Sequence, residues 1–325
     1  MVSDKVLAAE VDGSTLAAAI VDRDGAILAR AAETVEQAAL PKIVAQLGRV
    51  ARQLAKKSAF RAAAIAVNGA VSRDGMIPAP ANGQSFPIGE KLRQELRLPV
   101  TVTSDRVAAV TGESWKGAAD DKDTVVFVVG ETIRAGVRIG GRMLEGAHGL
   151  AGAAGWMAVS EADGFEVRKF GGLEAFASAP GIVRAARNAI EAGFGGSLAE
   201  YDPNLFTAED IAELARRGDV TARQIYRRAG KQLGLAVANL VSLFDPEFLI
   251  VAGSMTAASD LFWPDLLEIA TLRSRPDSAR TVRICLSELR GDAVLLGAAK
   301  AAWGAMPAKA ASRKSPPRKS RAASR

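Results

Sequence analysis

The sequence predicts an α/β protein of two lobes in which one structural unit occurs twice, and three observations predict it. The segment VLAAEVDGSTLAAAIVDRDGAILARAAETV reads as two strands joined at the DGST turn, a second turn at Arg23 to Gly25, and a third strand. Farther on, DTVVFVVGETIRAGVRIGGRMLEG repeats that logic as an apolar strand, a small polar turn at GET, a strand, a Gly-Gly turn and a strand. The chain has 325 residues, 49% apolar and 24% charged, which is globular composition and enough for two cores.

Between and after these meanders the pattern changes to helices and buried strands. Pro41 to Lys57 carries apolar residues at helical spacing (Ile43, Val44, Leu47, Val50 and Leu54), with Pro41 at a permissive first turn. RAAAIAVNGAV reads as a buried strand ending at Asn68-Gly69, and PIGEKLRQELRLPVTVTSD as a helix followed by a strand ending at Asp105. A helix from Arg106 to Gly117 closes the first lobe, with Asp120 to Asp123 as the boundary loop. The second lobe continues with helices from Gly181 to Asp245, the strand PEFLIVAGS, a strand from Thr281 to Leu286 and a helix from Asp292 to Trp303. The expected division is 1–118, 119–305 with a last helix able to pack back on the first lobe, and a disordered basic tail, 306–325.

The net charge of +6 belongs to that tail. Residues 306–325 hold seven basic side chains and no acidic one, leaving 35 basic against 36 acidic residues in the body. A tail of Ser, Pro, Ala, Lys and Arg buries too little apolar area to offset its ordering entropy, and reads as a solvated segment. Weak nucleic-acid contact through it is the other reading. Cys285 and His148 are the only residues of their types, which excludes a disulfide or a Cys/His zinc site within one chain. Cys285 alternates like a core strand residue, and His148, in EGAHGLAG, reads as structural or solvent-facing. No apolar run is long enough to cross a bilayer and no secretory signal opens the chain, so a cytoplasmic protein is expected.

Two lobes that each begin with a strand-turn-strand loop and continue with βα units describe the duplicated actin-like (ribonuclease H-like) fold, with nucleotide between them. Phosphoryl transfer to a hydroxyl needs backbone donors for phosphates, a metal-binding carboxylate and a carboxylate base. Asp105 follows an apolar strand and precedes a helix, where open α/β sheets place ligands. The same position suits a helix N-cap, which is the competing reading.

Several segments, in order over residues 5 to 304, resemble the ROK family of bacterial glucokinases, fructokinases and related repressors. LPVTVTSDRVAAVTGESWKGAA is similar to the stretch carrying the family's catalytic aspartate, which implies Asp105 as base with Ser104 beside the substrate. NGAVSRDGMIPAPANG resembles the sugar loop, implying Asn82 and Asn68 near the substrate. GLEAFAS resembles the end of the zinc motif, implying that Glu174 contacts sugar. ANLVSLFDPEFLIVAGSM resembles the adenosine stretch, implying Gly253 and Ser254. The phosphate loops align Glu10, Gly13 and Ser14 in one lobe, and Gly130, Thr132 and Arg134 in the other, with nucleotide. The resemblance implies ATP and Mg²⁺, a sugar substrate and a homodimer.

The departures are as specific as the matches. Asp12 places an anion in the first phosphate loop; Glu131, Thr132 and Arg134 replace a glycine-rich second loop, where glycine lets backbone approach phosphate. Glu10 or Asp12 would hold a metal through water, and Arg134 could bind phosphate by its side chain. In AGAAGWMAV, Ala153 and Trp156 replace a sugar-binding glutamate and a histidine, and the family's zinc cysteines are absent from GFEVRKFGGLEAF. Trp156 reads as a core residue, with stacking on a sugar as the other reading. An ATP-dependent sugar kinase and a noncatalytic sugar or nucleotide sensor are both expected outcomes of this pattern. A DNA-binding repressor ranks third, because the chain starts directly at the first meander with no room for a helix-turn-helix.

Overall fold

The computed structural model describes residues 4–36, 39–72, 75–78, 85–202 and 206–306. Its first half runs β1 (Lys5–Asp12), β2 (Thr15–Asp22), β3 (Ile27–Thr34), α1 (Leu40–Lys57), β4 (Ala63–Val67), β5 (Ile77–Pro78), β6 (Ser85–Phe86), α2 (Ile88–Leu96), β7 (Val100–Ser104) and α3 (Asp105–Lys116). The second half runs β8 (Thr124–Val129), β9 (Ile133–Ile139), β10 (Arg142–Met143), α4 (Phe165–Phe170), α5 (Glu174–Ala177), α6 (Ala179–Glu191), α7 (Ala208–Arg217) and α8 (Val220–Phe244). It finishes with β11 (Phe248–Ala252), α9 (Ser259–Arg273), α10 (Pro276–Thr281), β12 (Arg283–Leu286) and α11 (Ala293–Gly304).

The repeat read in the sequence is a repeat of topology. One five-stranded sheet has the order β3-β2-β1-β4-β7 and the other β10-β9-β8-β11-β12. In each, the first strand pairs antiparallel with the second and parallel with the fourth in order. The α/β fold of two related lobes is therefore present. The predicted strand from Thr281 begins two residues later, because Pro276 starts the short helix α10 that ends at Thr281. The tail lies outside the described residues except for Met306.

Alternation along the central strands explains the layers. In β1, Leu7 and Ala9 face a cluster with α1 and α2, while Val6 and Ala8 face α3 and α11. In β8, Val125, Phe127 and Val129 face the helices of the second lobe, while Val126 and Val128 face the same α3 and α11 layer. Strands buried on both faces read as continuous apolar runs, which is why both meanders stood out. The shared middle layer joins the two sheets.

That layer depends on close helix approach. A Cβ added at Gly297 of α11 would lie 1.8 Å from the Ala108 carbonyl oxygen, and one at Gly112 of α3 would lie 2.0 Å from that of Ala293. Gly297→Ala is expected to lower the unfolding free energy by about 1–3 kcal/mol in urea titration, since the obstacle is backbone that cannot turn aside. Gly304→Ala, on the same helix with nothing within 4 Å, is expected to change stability by less than about 0.5 kcal/mol.

Candidate active site

The turns after β1 and β8, expected from the sequence to be phosphate loops, meet face to face where the lobes join. Gly13, at φ 56°, sits against Glu131: a Cβ there would come within 2.8 Å of the Glu131 Cβ. The Ser14 hydroxyl donates to Glu131 Oε2 at 3.4 Å, and Thr132 Oγ1 donates to Asp12 Oδ1 at 2.9 Å. Asn68, at the end of β4, donates to Thr132 Oγ1 at 3.3 Å. Gly130 packs near Asp12 and Ser254, so the turn after β11 joins the same point. Gly253 in that turn has φ 101°, and a Cβ would lie 2.4 Å from the Val129 carbonyl oxygen; only glycine fits there.

Beneath the loops lies a buried ion cluster. Arg134, on β9 of the second lobe, extends into the first lobe and is 2% exposed. Its Nη2 donates to Glu10 Oε1 at 2.8 Å, and its Nη1 donates to Asp12 Oδ1 at 3.0 Å and Thr132 Oγ1 at 2.9 Å. Its Nε lies 2.7 Å from Asp105 Oδ2. That last contact is electrostatic: neither Nε nor Oδ2 makes an aligned hydrogen bond. Asp105 is fully buried, at 0% exposure. Its Oδ1 accepts from the Arg106 amide at 2.8 Å, which holds the carboxylate at the start of α3.

Burial raises the Glu10 pKa to about 8, with Asp12 and Asp105 pushing the same way against Arg134. Burial likewise raises Asp105 against the opposing pull of Arg134 and Arg106. For Arg134, burial disfavours the cation, but Asp105, Asp12 and Glu10 outweigh it and hold the guanidinium charged.

Two cavities flank the cluster. One is lined by Glu10, Asp12, Thr15, Arg134, Gly253 and Ser254, among others, and takes in both the turn after β1 and the turn after β11. The other includes Ser72, Ser104, Arg106, Glu145 and Gly149. Asp105 lines neither, being enclosed by its neighbours.

The predicted residues divide accordingly. Glu10, Gly13, Ser14, Asp105, Gly130, Thr132, Arg134, Gly253 and Ser254 come together at the lobe junction. Asn82 lies outside the described residues. Ser104 is the N-cap of α3, its hydroxyl accepting from the Val107 amide at 3.3 Å; Asp105 occupies the first turn instead of capping it. Glu174 accepts from the Ile133 amide at 2.7 Å and so braces the second phosphate loop. Trp156 is not a core residue: it is 61% exposed. It ends a short 3₁₀ turn whose buried members are Ala154 and Gly155, so the bulky ring is the part turned outward. His148 is exposed, and Cys285 is half-buried on β12 against the shared apolar layer.

Arg106 escaped the sequence reading. Its Nη2 donates to the carbonyls of Gly69, at 3.0 Å, and Gly149, at 2.6 Å, tying the loop after β4 to the second lobe. The three-carboxylate grip on Arg134 was also missed, although a signal existed: one phosphate loop gains an anion at Asp12 and the opposing loop a cation at Arg134.

A divalent cation held by the protein does not fit this arrangement. Glu10, Asp12 and Asp105 each have a guanidinium nitrogen within 3.0 Å. Among the described residues, no group of His, Cys, Asp or Glu side chains is placed to hold a metal ion.

Comparison with known proteins agrees with this architecture. The ROK family profile matches residues 6–304. The chain belongs to the ROK family. A glucokinase from Halalkalibacterium halodurans is 31% identical over 66% of this chain and 66% of its own length. The bifunctional enzyme NanE/NanK of Brucella suis is 34% identical over 91% of this chain, which spans about half, 53%, of that protein. A ROK family glucokinase from Streptomyces griseus, solved with glucose and AMPPNP, superposes with a TM-score of 0.81 at 25% identity, covering 92% of this chain and 99% of its own. The lobes are thus those of the duplicated actin-like fold of ROK sugar kinases.

Two outcomes follow from the ion cluster. Arg134→Ala leaves the acidic side chains of Glu10, Asp12 and Asp105 without their buried partner, and the unfolding free energy at neutral pH is expected to fall by about 3–5 kcal/mol in denaturant titration. Glu10 holds its proton more tightly in the folded chain than in the unfolded one. Its contribution to stability is therefore fully present below the ordinary value of 4.5 and lost as pH rises through about 8. Thermal melts should show this decline, and Glu10→Gln should flatten it.

Proposed function

We propose that this chain is an ATP-dependent sugar kinase of the glucokinase type, with Asp105 as the base that receives the proton of a sugar hydroxyl. The observation that carries the reading is the Asp105 carboxylate: it sits at the junction of the lobes, with Oδ2 buried and lacking an aligned donor. A substrate hydroxyl supplies such a donor, and a raised pKa suits a group that must take up a proton. Nucleotide would lie along Gly13, Ser14, Gly130, Thr132, Gly253 and Ser254, with Ser104 and Glu174 toward the sugar; Asn82, the other residue proposed for the sugar, lies outside the described residues. Support for ATP and a hexose comes from the Streptomyces griseus relative, named for its complex with glucose and AMPPNP. Mg²⁺ enters this reading with the nucleotide, since the nearby carboxylates already hold Arg134.

For the reaction, Arg134 must release Asp105, whose negative charge it faces in the closed cluster. That contact favours a second reading, a noncatalytic sugar or nucleotide sensor in which the carboxylate never becomes available. The first reading places the chain in the cytoplasm as a homodimer of lobes divided between Ala118 and Ala119. No helix among the described residues is long and apolar enough to cross a membrane.

Sugar-dependent ADP release across a hexose panel separates the two readings. A kinase releases ADP with at least one sugar, and Asp105→Asn should reduce the rate roughly 10²–10⁴-fold, the usual contribution of a general base. Binding of ATP and sugar without release would establish the sensor. Release that persists in Asp105→Asn would remove Asp105 from the role of base.

A further inference from the structure

The ion cluster brings together acidic oxygens of the kind that hard metal ions prefer, but arranges them around an arginine and not around a metal position. Three carboxylates from two elements, Glu10 and Asp12 at the end of β1 and Asp105 at the start of α3, surround one buried guanidinium, each on a different nitrogen. Hard oxygen ligands from acidic side chains are what Mg²⁺ and Mn²⁺ prefer. The guanidinium is that of Arg134, which crosses from the opposite lobe and gives each carboxylate one nitrogen. Its planar fork spreads one charge over several directions, which a lysine ammonium could not match.

We infer that Arg134 is the resident cation of this cleft: Glu10, Asp12 and Asp105 hold a guanidinium in place of a divalent metal ion. The inference deepens the reading of the cleft as a nucleotide site, but its first test does not depend on nucleotide. Arg134 also lines the cavity shared by Thr15, Gly253 and Ser254, together with the acidic side chains of Glu10, Asp12 and Glu131. The same side chain ties the lobes, because its three acidic partners all belong to the first lobe and its backbone to the second.

The probe is Mn²⁺, followed by electron paramagnetic resonance of the free ion in titrations of the full-length protein. Wild type should bind no Mn²⁺ at millimolar concentration, Arg134→Lys should behave likewise, and folded Arg134→Ala should gain a site at least roughly tenfold tighter than any in wild type. Mn²⁺ binding by wild type as tight as by Arg134→Ala would overturn the inference. So would a folded Arg134→Ala protein that gains no site.

Should Arg134→Ala fail to fold, Arg134→Gln takes its place in the same Mn²⁺ titration, where gain of a site supports the resident cation and no gain overturns it. Failure of the kinase reading would show separately, as absent sugar-dependent ADP release in a protein whose Mn²⁺ behaviour is as expected.

Discussion

One guanidinium decides what this cleft is. Arg134 lies among three acidic side chains at 2.7–3.0 Å, almost wholly removed from water. Three carboxylates could not converge there unpaired, since each would carry both desolvation and mutual repulsion. The cation makes the convergence possible, and its own burial is tolerable only because those carboxylates surround it. The pair of substitutions at the loops is therefore a single change: Asp12 and Arg134 make sense together, and neither does alone.

The consequence reaches beyond the cluster. Because the arginine backbone belongs to one sheet and its partners to the other, the same contacts that neutralise charge also draw the lobes together. Thr132, Asn68, Ser14 and Glu131 add weaker bonds across the same seam. Arg106 makes a second crossing beside Asp105, on the carbonyls of Gly69 and Gly149. Behind the seam, α3 and α11 pack glycine against backbone to form the apolar layer that both sheets share. Asp105 sits where the polar seam meets that layer, which explains both its complete burial and its elevated pKa.

In the kinase reading, the active site and the closed ion lock use the same residues. Glycine-rich loops accept phosphate by backbone approach; here Glu131, Thr132 and Arg134 fill that space with side chains. The chemistry left to the cleft is accordingly weighted toward side-chain charge. The exposed Trp156 and Ala153, and the engagement of Glu174 with the backbone of the turn after β8, change the side proposed for the sugar in the same direction, away from polar side chains offered to a ligand.

The amino-acid sequence by itself determined the architecture. Buried parallel strands demand long apolar runs, turns demand Gly, Asp and Ser, and a duplicated unit repeats both, so the two meanders and the family were legible. It also located the loops at which the cleft is altered, since Asp12 and Arg134 stand out against their aligned positions. Which groups those side chains meet was decided by tertiary structure alone, because Arg134 is separated by 29 to 124 residues from the carboxylates it binds, and a contact that crosses lobes leaves no local periodicity. The same holds for Trp156, whose exposure depends on which side of a three-residue turn faces the core, and for Ser104, whose hydroxyl caps a helix that sequence reading started one residue later.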